Sequence, residues 1–226
     1  GGSYATSRTG GSAVASNGYL YVAGGCTSYS LGSTLCNGSA VTDDTAYAPI
    51  DPDGKVGSWT SYTTSGSILP AGVGFGSMQA LNGYLYYIGG HNSTVTAQAT
   101  TYYISESNFR SGSAWSTATN GLPAARFGGA SAVYNNRIYY VGGRFTDNLN
   151  KDTVYYTPAL TNGGDIASAW STATSFSGVR RDLSVAIQGG FIYIIGGLGG
   201  SEYLNDVQVG DISESTGNIS SWSYTI

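Results

Sequence analysis

The sequence predicts an all-β protein, and within that class a β-propeller of four blades, each a four-stranded antiparallel sheet. A nine-residue phrase, NGYLYYIGG at 82–90, recurs in four places and ends each time in a glycine pair. Tryptophan recurs in step with it, once in each copy. A period of about 50 residues with glycine and aromatic markers is typical of a propeller with one blade per repeat.

The composition favours the same fold. Of 226 residues, 35 are glycine and 19 are tyrosine, whereas only 10% are charged. A chain rich in glycine, serine, threonine and tyrosine suits many short strands joined by tight turns. Hydrophobic residues make up 41% of the chain, so it can form a sizeable core.

Glycine pairs and tryptophans mark the four copies. The first glycines of the pairs are 65, 53 and 54 residues apart, and the tryptophans are 56, 55 and 52 residues apart. The glycine pairs are Gly24-Gly25, Gly89-Gly90, Gly142-Gly143 and Gly196-Gly197. The tryptophans are Trp59, Trp115, Trp170 and Trp222. These markers predict a single domain, 1–226, with blades at approximately 8–62, 73–119, 126–174 and 180–226.

Each repeat divides into four strand-sized pieces. The first is small and apolar, as in GGSAVAS, which fits the crowded innermost strand of a blade. Asn-Gly or similar pairs follow at 17–18, 82–83, 135–136 and 189–190, and these tolerate the positive φ of a two-residue hairpin. The second piece alternates, as in YLYVAGG. A variable loop then leads to the third and fourth pieces, DTAYAPI and GSWTSY in the first repeat.

These markers resemble those of Kelch repeats: a glycine pair closing the second strand, then a tyrosine, then a tryptophan. The stretch YAPIDPDGKVGSWT is similar to Kelch repeats of bacterial extracellular proteins. The resemblance implies a propeller, and Kelch propellers usually have six or seven blades. Four blades leave three alternatives: a small closed ring, part of a longer propeller with additional blades, or an open arc that pairs with another chain as an oligomer.

Two cysteines, Cys26 and Cys36, flank a glycine- and serine-rich stretch. We expect a disulfide between them, with free thiols as the alternative, because a metal site needs more ligands than two thiols and the single histidine, His91, supply. A disulfide predicts an oxidising compartment, so we expect an extracellular or cell-surface protein.

The patterns of charge and hydropathy exclude two classes of partner. The net charge is −4 and no basic stripe is present, whereas a nucleic-acid partner requires one. The longest apolar runs are only strand-sized, so we expect no membrane insertion. A protein or a glycan remains the expected ligand.

Arginines recur sixteen positions before the glycine pair, at Arg8, Arg126 and Arg180, with Arg181 beside the last. In a ring they could converge on a carboxylate, as the arginine cluster of sialidase propellers does. The alternative is a structural role, since a position repeated around a ring tends to pack against the next blade. The sequence favours the structural role.

The segments that follow the glycine pairs vary most, and the repeat places all four on one face of the ring. They contain His91 and Arg144, which we include as tentative ligand-binding residues. Asp182 is the one acid on the innermost strands, and Asp51 and Asp53 favour a hairpin turn over a calcium loop, so no catalytic residue, metal or cofactor is predicted.

Three functions are compatible with the sequence. The favoured one is a non-catalytic extracellular module that binds a protein or glycan through the variable loops. The second is a glycan-active enzyme, a sialidase or sialate epimerase, that uses the arginine cluster. The third is a purely structural set of blades within a larger surface assembly.

Overall fold

A computed structural model of the chain describes residues 6–28, 36 and 40–225. Within them the chain folds into four antiparallel sheets of four strands, each formed by strands consecutive in sequence. This is the propeller-like all-β architecture that the repeat predicts. No helix among these residues is long and apolar enough to cross a membrane.

The four blades are formed as follows. Blade 1 contains β1 (Ser12–Ser16), β2 (Tyr19–Ala23), β3 (Thr45–Pro49) and β4 (Thr60–Tyr62). Blade 2 contains β5 (Ser77–Leu81), β6 (Tyr84–Ile88), β7 (Thr101–Ser105) and β8 (Ser116–Thr117). Blade 3 contains β9 (Ala130–Tyr134), β10 (Arg137–Val141), β11 (Val154–Tyr156) and β12 (Ser171–Ala173). Blade 4 contains β13 (Ser184–Gln188), β14 (Phe191–Leu198), β15 (Tyr203–Ile212) and β16 (Ile219–Thr225).

The first two strands of every blade form a tight hairpin. In blade 1, Ser16 pairs with Tyr19, so the loop contains only Asn17 and Gly18. Their φ angles are 47° and 78°, both in the left-handed region that a type I′ turn requires. The equivalent pairs in the other three blades also have positive φ, which confirms the predicted hairpins.

One short helix departs from the predicted turn between the third and fourth strands of blade 2. Helix α1 (Glu106–Arg110) is capped by the side chain of Ser105, which accepts from the backbone N–H of Asn108. Phe109 is fully buried between blades 1 and 2, and Glu106 accepts hydrogen bonds from Ser16 Oγ and Asn17 Nδ2. A helix of five residues is too short to show a periodic pattern in the sequence. It is also too short to be stable alone, so contacts with blade 1 stabilise it.

The first strands lie nearest the axis and hold the blades together. β1 packs against β5, β5 against β9, and β9 against β13. Three backbone hydrogen bonds beside these strands join successive blades. The N–H of Phe75 donates to Gly10 O at 2.7 Å, the N–H of Gly128 donates to Phe75 O at 2.8 Å, and the N–H of Asp182 donates to Gly128 O at 2.7 Å. These residues are equivalent in the four repeats and all have positive φ. We call this series the axial hydrogen-bond chain.

Three apolar clusters fill the three spaces between consecutive blades. The cluster between blades 1 and 2 contains Tyr21 and Trp115, that between blades 2 and 3 contains Tyr86 and Trp170, and that between blades 3 and 4 contains Tyr139. Each interface therefore combines the tyrosine of one blade's second strand with strand residues of the next blade.

The described residues form an open arc and not a closed ring. The innermost strands of blades 1 and 4, β1 and β13, have no contact comparable to those that join consecutive blades. No described cluster joins the two end blades, and Phe191 and Ile195 on the outer face of blade 4 are 43% and 42% exposed. Of the three predicted alternatives, the small closed ring is therefore not the one observed.

Candidate functional site

Two repeated positions build the face on which the loops emerge. One is the residue directly after the glycine pair, and the other is the residue directly after the repeated-arginine position. The two positions form an antiparallel bridge in every blade, and the four bridges are Thr9 with Cys26, Gly74 with His91, Phe127 with Arg144, and Arg181 with Leu198. His91, Arg144 and Arg181 therefore belong to the same series of bridges.

The disulfide anchors the blade 1 end of this face. Cys26 and Cys36 are bonded to each other and buried, while most of the long loop between and after them lies outside the described residues. The bridge lies against the backbone of blade 2, because a Cβ added to Gly74 would come within 2.6 Å of Cys36 Sγ. The predicted disulfide is therefore present, and it packs against the second blade at Gly74.

His91 is enclosed by aromatic rings. Its imidazole stacks on Phe75 at 5.7 Å between ring centroids and meets the edge of Phe127 at 5.3 Å. The side chain is fully buried, Nδ1 lies 3.0 Å from Asn92 O, and Nε2 has no hydrogen-bond partner among the described residues. Burial lowers the pKa of His91 below its usual range, so the ring is neutral at pH 7. A buried neutral ring does not reach a ligand on the surface.

Cys26, Cys36 and His91 bring three potential metal-ligand atoms together. The two sulfurs and a ring nitrogen of His91 lie within 4.8 Å of one another. In the disulfide form neither sulfur is a thiolate, and the thiolate is the form that binds metals. The oxidised protein therefore offers a single nitrogen, which is not a metal site.

Between blades 3 and 4 the same face opens into a cleft of about 460 Å³. Three cationic side chains line it: Arg144, Lys151 and Arg181. Leu149 and Val179, which are 59% and 41% exposed, add apolar surface at the cleft. The cleft is lined further by Asn148, Asn150 and Gly200.

The cations of the cleft have too few anionic partners. Lys151 pairs with Asp147 at 3.0 Å and Arg181 pairs with Asp182, but Arg144 has no carboxylate within ion-pair distance among the described residues. Its Nη2 donates to the neutral Asn148 Oδ1 at 2.7 Å, and its buried Nε has no partner. Burial and the neighbouring Arg181 charge lower the pKa of Arg144. A bound anion would relieve this shortage of negative charge.

Asp182 is the acid beside the cleft. Its side chain is 37% exposed and bonds Arg181, and its backbone belongs to the axial hydrogen-bond chain. Burial of the rest of the side chain raises its pKa, although the charge of Arg181 opposes that change. A carboxyl group with a raised pKa holds its proton at a higher pH than usual, so it can act as a general acid.

The repeated arginines are engaged inside their own blades. Arg180 is 2% exposed, and its guanidinium forms a bidentate pair with Asp206 at 2.8 and 3.0 Å while also donating to Gly196 O. Arg8 repeats this arrangement, donating to Gly24 O at 2.8 Å and to Asp44 Oδ2 at 3.2 Å. Both therefore tie the glycine pair to an aspartate next to or within the third strand.

Arg126 is buried in the same position of blade 3 but has different partners. It donates to Tyr155 Oη at 3.1 Å and Thr153 Oγ1 at 3.3 Å, and lies over the Tyr155 ring. The backbone at this position also joins blades, because Gly25, Gly90 and Gly143 donate to the carbonyls of Val73, Arg126 and Arg180. These contacts favour a structural role for the repeated arginines, and ligand anchoring by them stays a prediction.

Lys151, Phe127 and the cleft itself were not found from the sequence. Aligning the four repeats on the glycine pair would have placed Phe127 and Arg181 in one column and His91 and Arg144 in another. Only the structure shows that these two columns bridge each other. The position of Lys151 depends on the fold of a variable loop, for which the repeat gives no register.

Comparison with known proteins supports the fold and nothing finer. No protein-family model and no curated protein matches the chain. Solved structures of similar fold are numerous. One of them, "Structure of YjhT", superposes with a TM-score of 0.70 at 15% sequence identity. The similarity covers 98% of this chain but only 66% of that one, so this chain spans just under two thirds of its length.

Proposed function

We propose that this chain is a non-catalytic, Kelch-type propeller module that binds a carboxylate-bearing ligand in the cleft between blades 3 and 4. The observation that carries the proposal is the incompletely paired cation cluster of Arg144, Lys151 and Arg181. Among glycans and proteins, the two expected ligand classes, acidic glycans fit this cluster best.

The chemistry of the cleft supports an acidic sugar. Guanidinium groups bind carboxylates through two parallel hydrogen bonds, and Arg144 makes one side-chain hydrogen bond among the described residues, from Nη2 to Asn148 Oδ1. The apolar surfaces of Leu149 and Val179 suit the C–H faces of a sugar ring. A volume of about 460 Å³ lies within the range of small-molecule sites, and so accepts one or two sugar units and not a folded protein surface.

The remaining features support an exported binding protein. The Cys26–Cys36 disulfide is stable in oxidising compartments, which supports an extracellular or cell-surface location. A rigid scaffold that presents variable loops is the usual arrangement of a recognition surface.

Calorimetric titration tests the proposal. We expect sialyllactose, a glucuronic-acid disaccharide or both to bind, and lactose, the neutral counterpart, not to bind. Affinity should fall as salt is raised, because the attraction is between charges that are partly exposed to solvent. The proposal is wrong if neither acidic sugar binds at low ionic strength, or if lactose binds as tightly as sialyllactose.

Asp182 supports one second candidate, a glycan-active enzyme. Its raised pKa and its position next to the cleft are those of a general acid. Glycoside hydrolysis usually needs a pair of carboxylates, and no partner carboxylate for Asp182 is evident among the described residues. Product release from sialyllactose that disappears in Asp182→Asn would favour the enzyme over the binding module.

A further inference from the structure

Equivalent positions of the second strands alternate between the two faces of each blade. Counting back from the glycine pair, the first and third residues face the next blade, and the second and fourth face the preceding blade. At the three internal interfaces these side chains are fully buried: Tyr21, Ala23, Tyr86, Ile88, Tyr139 and Val141 on one side, and Leu85, Tyr87, Ile138, Tyr140, Ile192 and Ile194 on the other.

The same positions are exposed at the two ends of the arc. On blade 4, Ile195 is 42% exposed and Tyr193 is partly exposed. On blade 1, Leu20 and Val22 are partly exposed. Each end face therefore has the composition of half an internal interface. We call them the blade 4 face (Phe191, Tyr193, Ile195, Val207, Val209) and the blade 1 face (Ala13, Ala15, Leu20, Val22).

The blade 4 face also carries a polar group, the Tyr193 hydroxyl, whose equivalents form hydrogen bonds at internal interfaces. At two internal interfaces the repeated tyrosine donates across to a turn of the next blade, Tyr86 to Gly164 O and Tyr139 to Gly217 O, both at 2.9 Å. The hydroxyl of Tyr193 has no such partner among the described residues. The matching turn of blade 1 contains Asp53 and Gly54. These residues precede Trp59 in blade 1, just as Gly164 precedes Trp170 in blade 3 and Gly217 precedes Trp222 in blade 4.

The axial hydrogen-bond chain has two ends as well. Gly10, at the blade 1 end, accepts from Phe75 through its carbonyl, and its own N–H has no described partner. Asp182, at the blade 4 end, donates to Gly128, and its carbonyl has no described partner. The donor and the acceptor that would continue the chain are therefore at opposite ends of the arc.

We propose that the blade 4 face of one molecule packs against the blade 1 face of a second copy, head to tail. The blade 1 face of a second copy supplies apolar side chains, its turn at Asp53 and Gly54 supplies an acceptor for the Tyr193 hydroxyl, and its Gly10 supplies an N–H for the Asp182 carbonyl. The contact is heterologous, so it forms a closed ring if the geometry closes and an extended series otherwise. Two copies of four blades make eight, which is within the range of known propellers.

Mass measurement by light scattering after size-exclusion chromatography is the first test. We expect the wild-type protein to form dimers, or a concentration-dependent series of larger species, and Ile195→Lys to be monomeric. Because Ile195 is already exposed, this variant keeps its fold, which circular dichroism checks. Thr117→Lys, which introduces the same side chain at an exposed residue of β8 in blade 2, is the control and should associate like the wild type.

Cross-linking determines the orientation. Tyr193→Cys and Asp53→Cys, made as separate variants, should form a disulfide-linked dimer when mixed under oxidising conditions, and neither should do so alone. A wild-type protein that stays monomeric at 100 µM, association that survives Ile195→Lys, or efficient cross-linking of Tyr193→Cys with itself would each overturn the head-to-tail proposal.

Discussion

Arg180 and Arg181 are consecutive in the sequence, and their surroundings differ completely. The guanidinium of Arg180 is held inside blade 4 by both oxygens of Asp206 and by the carbonyls of Ser177 and Gly196. That of Arg181 lines the cleft with Arg144, and its ion-pair partner is Asp182, the next residue in the sequence. The blade interior therefore saturates its arginine, while the loop face leaves positive charge in excess.

This difference shows how to separate scaffold from site in a repeat protein. A repeated arginine whose donors are all used within its own blade has no capacity left for a ligand. An arginine that lines an open cleft at a position that varies between repeats, with a like charge beside it, has that capacity. Accordingly, substitutions in the first group should change stability, and substitutions in the second group should change binding.

The largest expected effect is on stability. Arg180→Ala should lower the free energy of unfolding by about 3 kcal/mol, because it leaves Asp206 and three carbonyls without their buried donor. Urea denaturation measures this loss. Lys55→Ala, which removes an exposed ion pair with Asp53, is the control and should cost under about 1 kcal/mol. Equal losses in the two variants would refute the scaffold role of Arg180.

The next effect is on affinity. Arg144→Ala should weaken binding of an acidic sugar at least tenfold, about 1.4 kcal/mol, because it removes the cation that lacks an anionic partner. Calorimetry with the same ligand as above measures the change. Unaltered affinity in a folded Arg144→Ala variant would mean that the ligand, if there is one, binds elsewhere.

A smaller effect is expected from acid. The hydrogen bond from Arg180 holds the pKa of Asp206 below its usual value. The folded state therefore binds fewer protons than the unfolded state, so the stability from this pair is complete above the unfolded pKa of about 3.9 and is lost as the pH falls below it. Stability measured from pH 5 to pH 2 should fall less in Asp206→Asn than in the wild type. Parallel curves would contradict the pairing.

The smallest effect concerns the single histidine. Burial lowers the pKa of His91, so its imidazole should titrate below the unfolded value of about 6.5. The unfolded state then takes up the proton first, and stability declines as the pH falls from about 6.5 toward the folded pKa. Since the chain has one histidine, a single imidazole resonance followed by NMR reports this pKa directly. Titration at or above 6.5 would show that the ring is not enclosed as described.

The repeat made most of the fold predictable. Asn17-Gly18 and its counterparts indicate hairpins because few residues tolerate two consecutive positive φ angles. Alternation along the second strand identifies the two faces of each blade. The helix at 106–110 was not predictable, since Phe109 and Glu106 form it through contacts with another blade.

The candidate site was only half predictable. Arg144, Arg181 and His91 were singled out from the glycine pair and the repeated-arginine position. The sequence did not reveal that His91 is buried between Phe75 and Phe127, or that Lys151 joins the two arginines. Those facts depend on the packing of one blade against the next, for which a single sequence contains no register.

The comparison of the two neighbouring arginines is also the most direct test of the account. Arg181→Ala should weaken binding of an acidic sugar at least tenfold while lowering the free energy of unfolding by less than Arg180→Ala does. Arg180→Ala, at a temperature where it is still folded, should keep the wild-type affinity. The account is contradicted if Arg181→Ala binds the sugar as the wild type does and a folded Arg180→Ala does not.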